Sequence, residues 1–183
     1  FQTLKTTVPD EVIQSFKIVW QNLGEPGAWW TGHQRIEIAK EVRNSKRPAL
    51  GARTKDLSQY SHEETESISS YVKAVIRKIT YESSTIDRDT YGSIVEVLGE
   101  DRYAELAAIV TQVVPIFTLA DILDCPREEL PTAQDGSTTQ ERPDGLVDNV
   151  AFLPTFSPKG LPHIAVSLSP VSYTHLRAHE TNS

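Results

Sequence analysis

The sequence holds no methionine and a single cysteine, Cys125, among its 183 residues. One thiol excludes an intrachain disulfide and a Cys-x-x-Cys redox pair, and it fits a reducing compartment. No apolar run approaches the roughly 20 residues that span a bilayer, and no secretory signal is visible, so the expected location is cytoplasmic, away from membranes. There is also no basic stripe: 25 acidic residues against 18 Lys and Arg leave a net charge of −7, which argues against nucleic acid as a partner. Histidine is scarce as well. Of the five, His175 and His179 lie in the C-terminal tail, while His33, His62 and His163 show no metal-ligand spacing. Neither a metal nor another cofactor is expected.

What the chain does have is apolar content of 38%, enough for one core, arranged with helical periodicity. Val8, Val12, Phe16, Val19, Trp20 and Leu23 recur at three- and four-residue steps and make one stripe. Pro9 suits the first turn of that helix, and Gly24 with Pro26 ends it. Thr31 followed by Gln34 forms a capping box ahead of a second stripe, Ile36, Ala39 and Val42. Ser61 with Glu64 forms another, ahead of Ile68, Tyr71, Val72, Val75, Ile76 and Ile79, so the acidic turn at 62–66 is read as a helix start. A shorter helix carries Tyr91, Ile94, Val95 and Leu98 and stops at Gly99. The longest spans 101–123, with Tyr103, Leu106, Val110, Val113, Phe117 and Ala120 on one side and a kink expected near Thr111 to Pro115. The fold class is therefore all-α, with five or six helices over 8–123.

From Cys125 the character changes. Six of the eleven prolines fall between Cys125 and Pro162, which predicts a linker or an arm draped over a surface. The organisation expected is a helical domain over 1–125, a proline-rich arm over 126–162, and the start of a second half over 163–170. The segment 171–183, from Val171-Ser172-Tyr173-Thr174-His175-Leu176-Arg177-Ala178-His179-Glu180-Thr181, resembles a translated sequencing adapter and is set aside from fold reasoning. With Phe1 in first place, both ends read as cut, and the natural chain is expected to continue past Pro170.

The stretch Trp29-Trp30-Thr31-Gly32-His33-Gln34-Arg35-Ile36-Glu37-Ile38-Ala39-Lys40-Glu41-Val42-Arg43, followed by Pro48-Ala49-Leu50-Gly51, resembles the catalytic-helix region of the alkylhydroperoxidase D / carboxymuconolactone decarboxylase superfamily. The likeness is closest to a long alkylhydroperoxidase-related branch, some members of which carry selenocysteine. Tyr103-Ala104-Glu105-Leu106-Ala107-Ala108-Ile109-Val110-Thr111-Gln112-Val113-Val114 resembles a later helix of that branch. Glu141-Arg142-Pro143 and the run 150–154 resemble its connection to a second half. The resemblance implies an alkylhydroperoxidase D-like helical bundle and a peroxidase-type, antioxidant oxidoreductase as the parent protein. In that chemistry a thiolate attacks the peroxide and becomes a sulfenic acid, and a resolving thiol condenses with it. Here Pro48 and Gly51 stand where the two cysteines would be, and Lys55 where the histidine would be. The visible half is therefore expected to be inactive, with a missing C-terminal half as its partner and homo-oligomers as its assembly.

Each remaining candidate has two readings. Glu37 matches the relay glutamate, with Glu41 as the alternative, or else it is a solvated helix face pairing with Lys40. His33 is a general base or a surface residue of the first helical turn. Cys125 is a lone peroxidatic thiol or a small buried side chain, and at a helix C-terminus the dipole disfavours a thiolate. Trp29 and Trp30 are a ligand platform or a core plug. A further possibility is a ligand-binding or assembly module with no redox role, using a cleft between the helices that start at Thr31 and Ser61.

Overall fold

The computed structural model describes residues 1, 8–49, 54–63, 67–142, 146–147 and 155–156. Among these the chain is helical: α1 (Asp10–Leu23), α2 (Gly32–Asn44), α3 (Ser70–Glu82), α4 (Arg88–Leu98) and α5 (Glu100–Ile122), with single 3-10 turns at Leu57–Gln59 and Ser83–Thr85. The only extended pairing among the described residues is a two-residue antiparallel ladder between Leu146–Val147 and Thr155–Phe156. Much of the expected arm, the second-half start at 163–170 and the adapter-like tail lie outside the described residues.

Most of the helix boundaries follow from caps readable in the sequence. Thr31 accepts the Gln34 N–H while the Gln34 side chain accepts the Thr31 N–H, a reciprocal box that satisfies two orphan donors. Asp87 caps α4 by accepting from Thr90 N–H at 2.8 Å. Gly99, at φ +80°, ends α4 and begins α5 in one step, a conformation that a side chain would resist. Pro9 stands just outside α1 as its N-cap rather than in its first turn.

The third expected cap is corrected. α3 begins at Ser70, and Ser69, not Ser61, caps it by accepting from Val72 N–H at 3.2 Å. Ser61 lies ahead of the helix, and its carbonyl accepts the Tyr71 N–H at 3.1 Å. It thereby serves a free donor of the first turn from outside, so the acidic stretch around His62 and Glu63 is not the helix start. Glu64 falls outside the described residues.

α5 is the helix on which the others converge; α1, α2, α3 and α4 all pack against it. The expected face is buried, and so are Ala104, Ala108, Ile109 and Ile116 on neighbouring sides. This central place corrects the expectation of no span-length apolar stretch: by length and composition α5 is apolar enough to cross a membrane, and packing on several sides accounts for that composition. α5 stays helical through Pro115. Pro115 and Thr111 are both exposed, so the Thr111 carbonyl that proline leaves without its helical donor faces solvent. α1 also differs from its predicted stripe: Ile13 is buried beside Trp20 and Leu23, while Phe16 and Val19 are only partly covered.

The cleft imagined between α2 and α3 is occupied by their own contact. Ile38, Ala39, Val75 and Ile76 are all 0% exposed and share one core. Arg77 Nε donates to Glu41 at 2.7 Å and Tyr81 Oη to the Ser45 carbonyl at 2.7 Å, closing the edge.

After α5 the chain does not trail away. Over 126–142 it runs back along the bundle as a strap. Trp20 Nε1 donates to the Glu129 carbonyl at 2.7 Å, Gln134 N–H to Gly24 at 2.8 Å, and Gln140 N–H to Ala28 at 2.9 Å. Leu130 and Ala133 pack on the core, and Arg142 bridges Glu100 and Asp101 at 2.9 and 3.1 Å. The described part of the proline-rich segment is thus an arm laid on a surface.

Candidate functional site

No hydrogen bond or ion pair joins any two of Glu37, Pro48, Lys55 and Cys125 among the described residues. Glu37 sits on the outer side of α2 and accepts from Lys40 Nζ at 2.6 Å, three residues on. Glu41 is engaged by Arg77, as above. His33 is exposed and lies 3.1 Å from Asp135 of the strap.

Pro48 is half-buried in irregular chain beyond α2, whose C-cap Ser45 is already extended. Lys55 is exposed and also outside any helix, and Gly51 lies outside the described residues. Cys125 follows the end of α5. Its N–H donates to Ala120 at 2.9 Å and its Sγ to the Leu123 carbonyl at 3.4 Å. Among the described residues no group of three or more His, Cys, Asp or Glu is placed to hold a metal ion.

The polar cluster that the fold does build lies elsewhere, on residues whose chemistry the sequence reading passed over. Glu105, in the middle of α5, is 0% exposed, and Arg35, in the first turns of α2, is 3% exposed. Arg35 Nη1 approaches Glu105 Oε1 to 3.8 Å, close enough for attraction but too far for a hydrogen bond. Both Glu105 Oε1 and Arg35 Nε lack a hydrogen-bond partner among the described residues.

The other carboxylate oxygen, Oε2, accepts the Trp29 N–H at 2.7 Å. The turn from Gly24 to Trp30 wraps this carboxylate and is closed by the Gly27 N–H donating to the Trp30 carbonyl at 2.9 Å. A side chain at Gly27 would force the cluster to shift: a Cβ would fall 1.8 Å from Oε1 and 2.9 Å from Arg35 Nη1. Its Cα edge therefore stands against the oxygen that Arg35 fails to reach, a weak C–H···O contact in place of a full hydrogen bond.

Trp30, 0% exposed, completes the wall. Its Nε1 donates to the Arg102 carbonyl at 2.9 Å, and the Arg102 guanidinium lies 4.1 Å over its ring. Trp30 is thus a core plug. Trp29 contributes its backbone to the turn that holds Glu105.

Electrostatically the cluster is a buried pair with incomplete hydrogen bonding. Burial pushes the Glu105 carboxyl above its ordinary value, and Arg35, the Trp29 and Trp30 N–H groups and Arg102 offset that only in part. Burial likewise lowers Arg35, opposed by Glu105 and Glu25. The signal for this site was present in the sequence as a glutamate inside a helix face of Ala, Leu and Ile. Its partner Arg35 is disguised among the ordinary charges of α2. Comparison with family models, with curated proteins and with solved structures finds no match for the chain.

Proposed function

We propose that this chain is a non-catalytic, alkylhydroperoxidase-like helical module, which folds as a scaffold and presents its proline-rich arm to a second, thiol- or selenol-bearing half. The observation that carries this reading is the chemistry at the motif positions. Pro48 and Lys55 provide no group that a hydroperoxide could oxidise, and Glu37, in the place of the proton relay, is paired with Lys40 on a solvated face. Reduction of a peroxide needs a thiolate to take one oxygen and a second thiol to resolve the sulfenic acid. The one thiol of the chain, Cys125, follows the end of α5 and has no second thiol to resolve it.

Two further supports are structural. The charged pair that the fold does bury, Arg35 and Glu105, is sealed from solvent, as suits a core-organising group rather than one that meets a substrate. The strap over 126–142 is held by backbone and charge contacts along its length, as a presented arm would be. The same reading expects homo-oligomers or an assembly with the second half through helical faces.

The test is hydroperoxide consumption with a dithiol reductant, comparing the chain with its Cys125→Ser variant. No turnover above the uncatalysed rate is expected from either. Turnover that persists in Cys125→Ser would overturn the proposal, and turnover abolished by it would reassign the chain as a single-thiol oxidoreductase.

A further inference from the structure

The turn that receives Glu105 on its inner side is the same turn on which the strap lies. From the inside, Trp29 N–H and the Gly27 Cα edge meet the carboxylate. From the outside, the carbonyls of Gly24 and Ala28 accept the strap amides of Gln134 and Gln140 at 2.8 and 2.9 Å. The approach is backbone to backbone: a Cβ on Gly24 would lie 2.6 Å from the Thr132 carbonyl. Seven residues, 24–30, thus form a thin wall between a buried carboxylate and a surface strap. None of them is in a helix, so the wall has no regular hydrogen-bond ladder of its own to hold its shape.

We infer that Glu105 is the positioning residue for the strap, acting through the turn from Gly24 to Trp30, so that the core and the proline-rich arm are mechanically coupled. With the carboxylate in place, Trp29 and Gly27 are fixed, the Gly24 and Ala28 carbonyls face outward in register, and the strap amides at 134 and 140 are seated six residues apart on them. The acceptor chemistry matters as well as the shape. A carboxamide at 105 has one acceptor oxygen. If that oxygen serves Trp29 N–H, its NH2 is pressed against Arg35 and the Gly27 Cα–H, donor against donor. In the reverse sense, whatever binds or pulls the arm beyond Arg142 reaches Trp29 and Glu105 through two strap hydrogen bonds. Coupling of this kind is reciprocal by thermodynamic necessity.

Amide hydrogen exchange of the full chain, resolved by residue, tests both directions. The strap amides exchange by local opening, and the interior amides of α3, such as Val75 and Ile76, by larger unfolding, so the two are read separately. In Glu105→Gln, Gln134 and Gln140 are expected to exchange about tenfold faster or more, beyond any change in α3. In Gln134→Pro, which deletes the N–H given to Gly24 at an exposed site, the Trp29 amide is expected to exchange about tenfold faster with α3 unchanged.

Unchanged strap amides in Glu105→Gln would overturn the coupling. So would an unchanged Trp29 amide in Gln134→Pro. Should Glu105→Gln fail to fold, the strap-side variant decides alone.

Discussion

Glu105 and Glu82 are both buried glutamates, one in the middle of α5 and one at the last residue of α3, yet their surroundings act on them in opposite senses. Burial raises both. At Glu82 the penalty is outweighed: Thr54 donates its hydroxyl at 2.7 Å and its N–H at 2.6 Å to one carboxylate oxygen, Lys78 Nζ lies 3.7 Å from the other, and the carboxyl ends below its ordinary value. At Glu105 burial is the larger influence, and Arg35 at 3.8 Å, the Trp29 and Trp30 N–H groups and Arg102 offset it only in part, so the carboxyl stays raised. Glu105 is the more deeply buried of the two and receives fewer close donors, and both differences push its carboxyl up relative to that of Glu82. Glu82 is a clasp that ties Thr54 to the end of α3. Glu105 is an internal strut; each of the two carboxylates keeps one oxygen without a hydrogen-bond partner among the described residues, Oε2 at Glu82 and Oε1 at Glu105.

The comparison breaks most severely at Glu105. Replacement by Ala leaves Arg35 buried without its anion, and a loss of about 3–5 kcal/mol is expected from urea unfolding; a loss below about 1 kcal/mol would show that the pair contributes little. Gly27→Ala should come next, at about 2 kcal/mol, because its Cβ collides with Oε1 and the wall must move. Wild-type stability in that variant would mean the turn has slack that the close contact denies.

The two carboxylates should then separate by pH. For Glu82, whose folded value is lowered, the stabilisation is full above pH about 4.3 and is lost as pH falls through the folded value. The advantage of wild type over Glu82→Gln, of order 1 kcal/mol at neutral pH, should therefore shrink on acidification. For Glu105, whose folded value is raised, the sign reverses. Wild type should lose ground to Glu105→Gln as pH rises from about 4.3 through the folded value. Parallel pH profiles for the two variants would contradict the contrast. The smallest effect is expected at Lys40→Ala, under about 0.5 kcal/mol, since the Glu37–Lys40 pair is partly solvated and one turn apart on α2.

Much of the fold was legible because its determinants are local. Helical spacing placed α1, α2, α4 and α5, and the Thr31–Gln34 box is present as read. The misreading at Ser61 has a plain cause. A serine three residues before a glutamate is common, and only the hydrogen bonds show that Ser69 holds the cap while Ser61 serves the helix from outside.

The site was less legible. Glu37, Pro48, Lys55 and Cys125 follow from pattern alone, and among the described residues no hydrogen bond or ion pair joins any two of them. Arg35 and Glu105, 70 positions apart, meet only because α2 packs on α5. Glu105 is a charged residue on a buried helix face, which is a usable signal. Arg35 has no such mark.

What the sequence determined by itself is the helical class, the cap at Thr31, the stop at Gly99, and the absence of any pair of thiols, since each depends on residue identity and near neighbours. Tertiary structure decided the rest. It brought the 24–30 turn against Glu105, laid the strap on the other face of that turn, and set one buried carboxylate above and another below its usual value. These depend on distances between residues far apart in the chain, and local spacing carries no record of them.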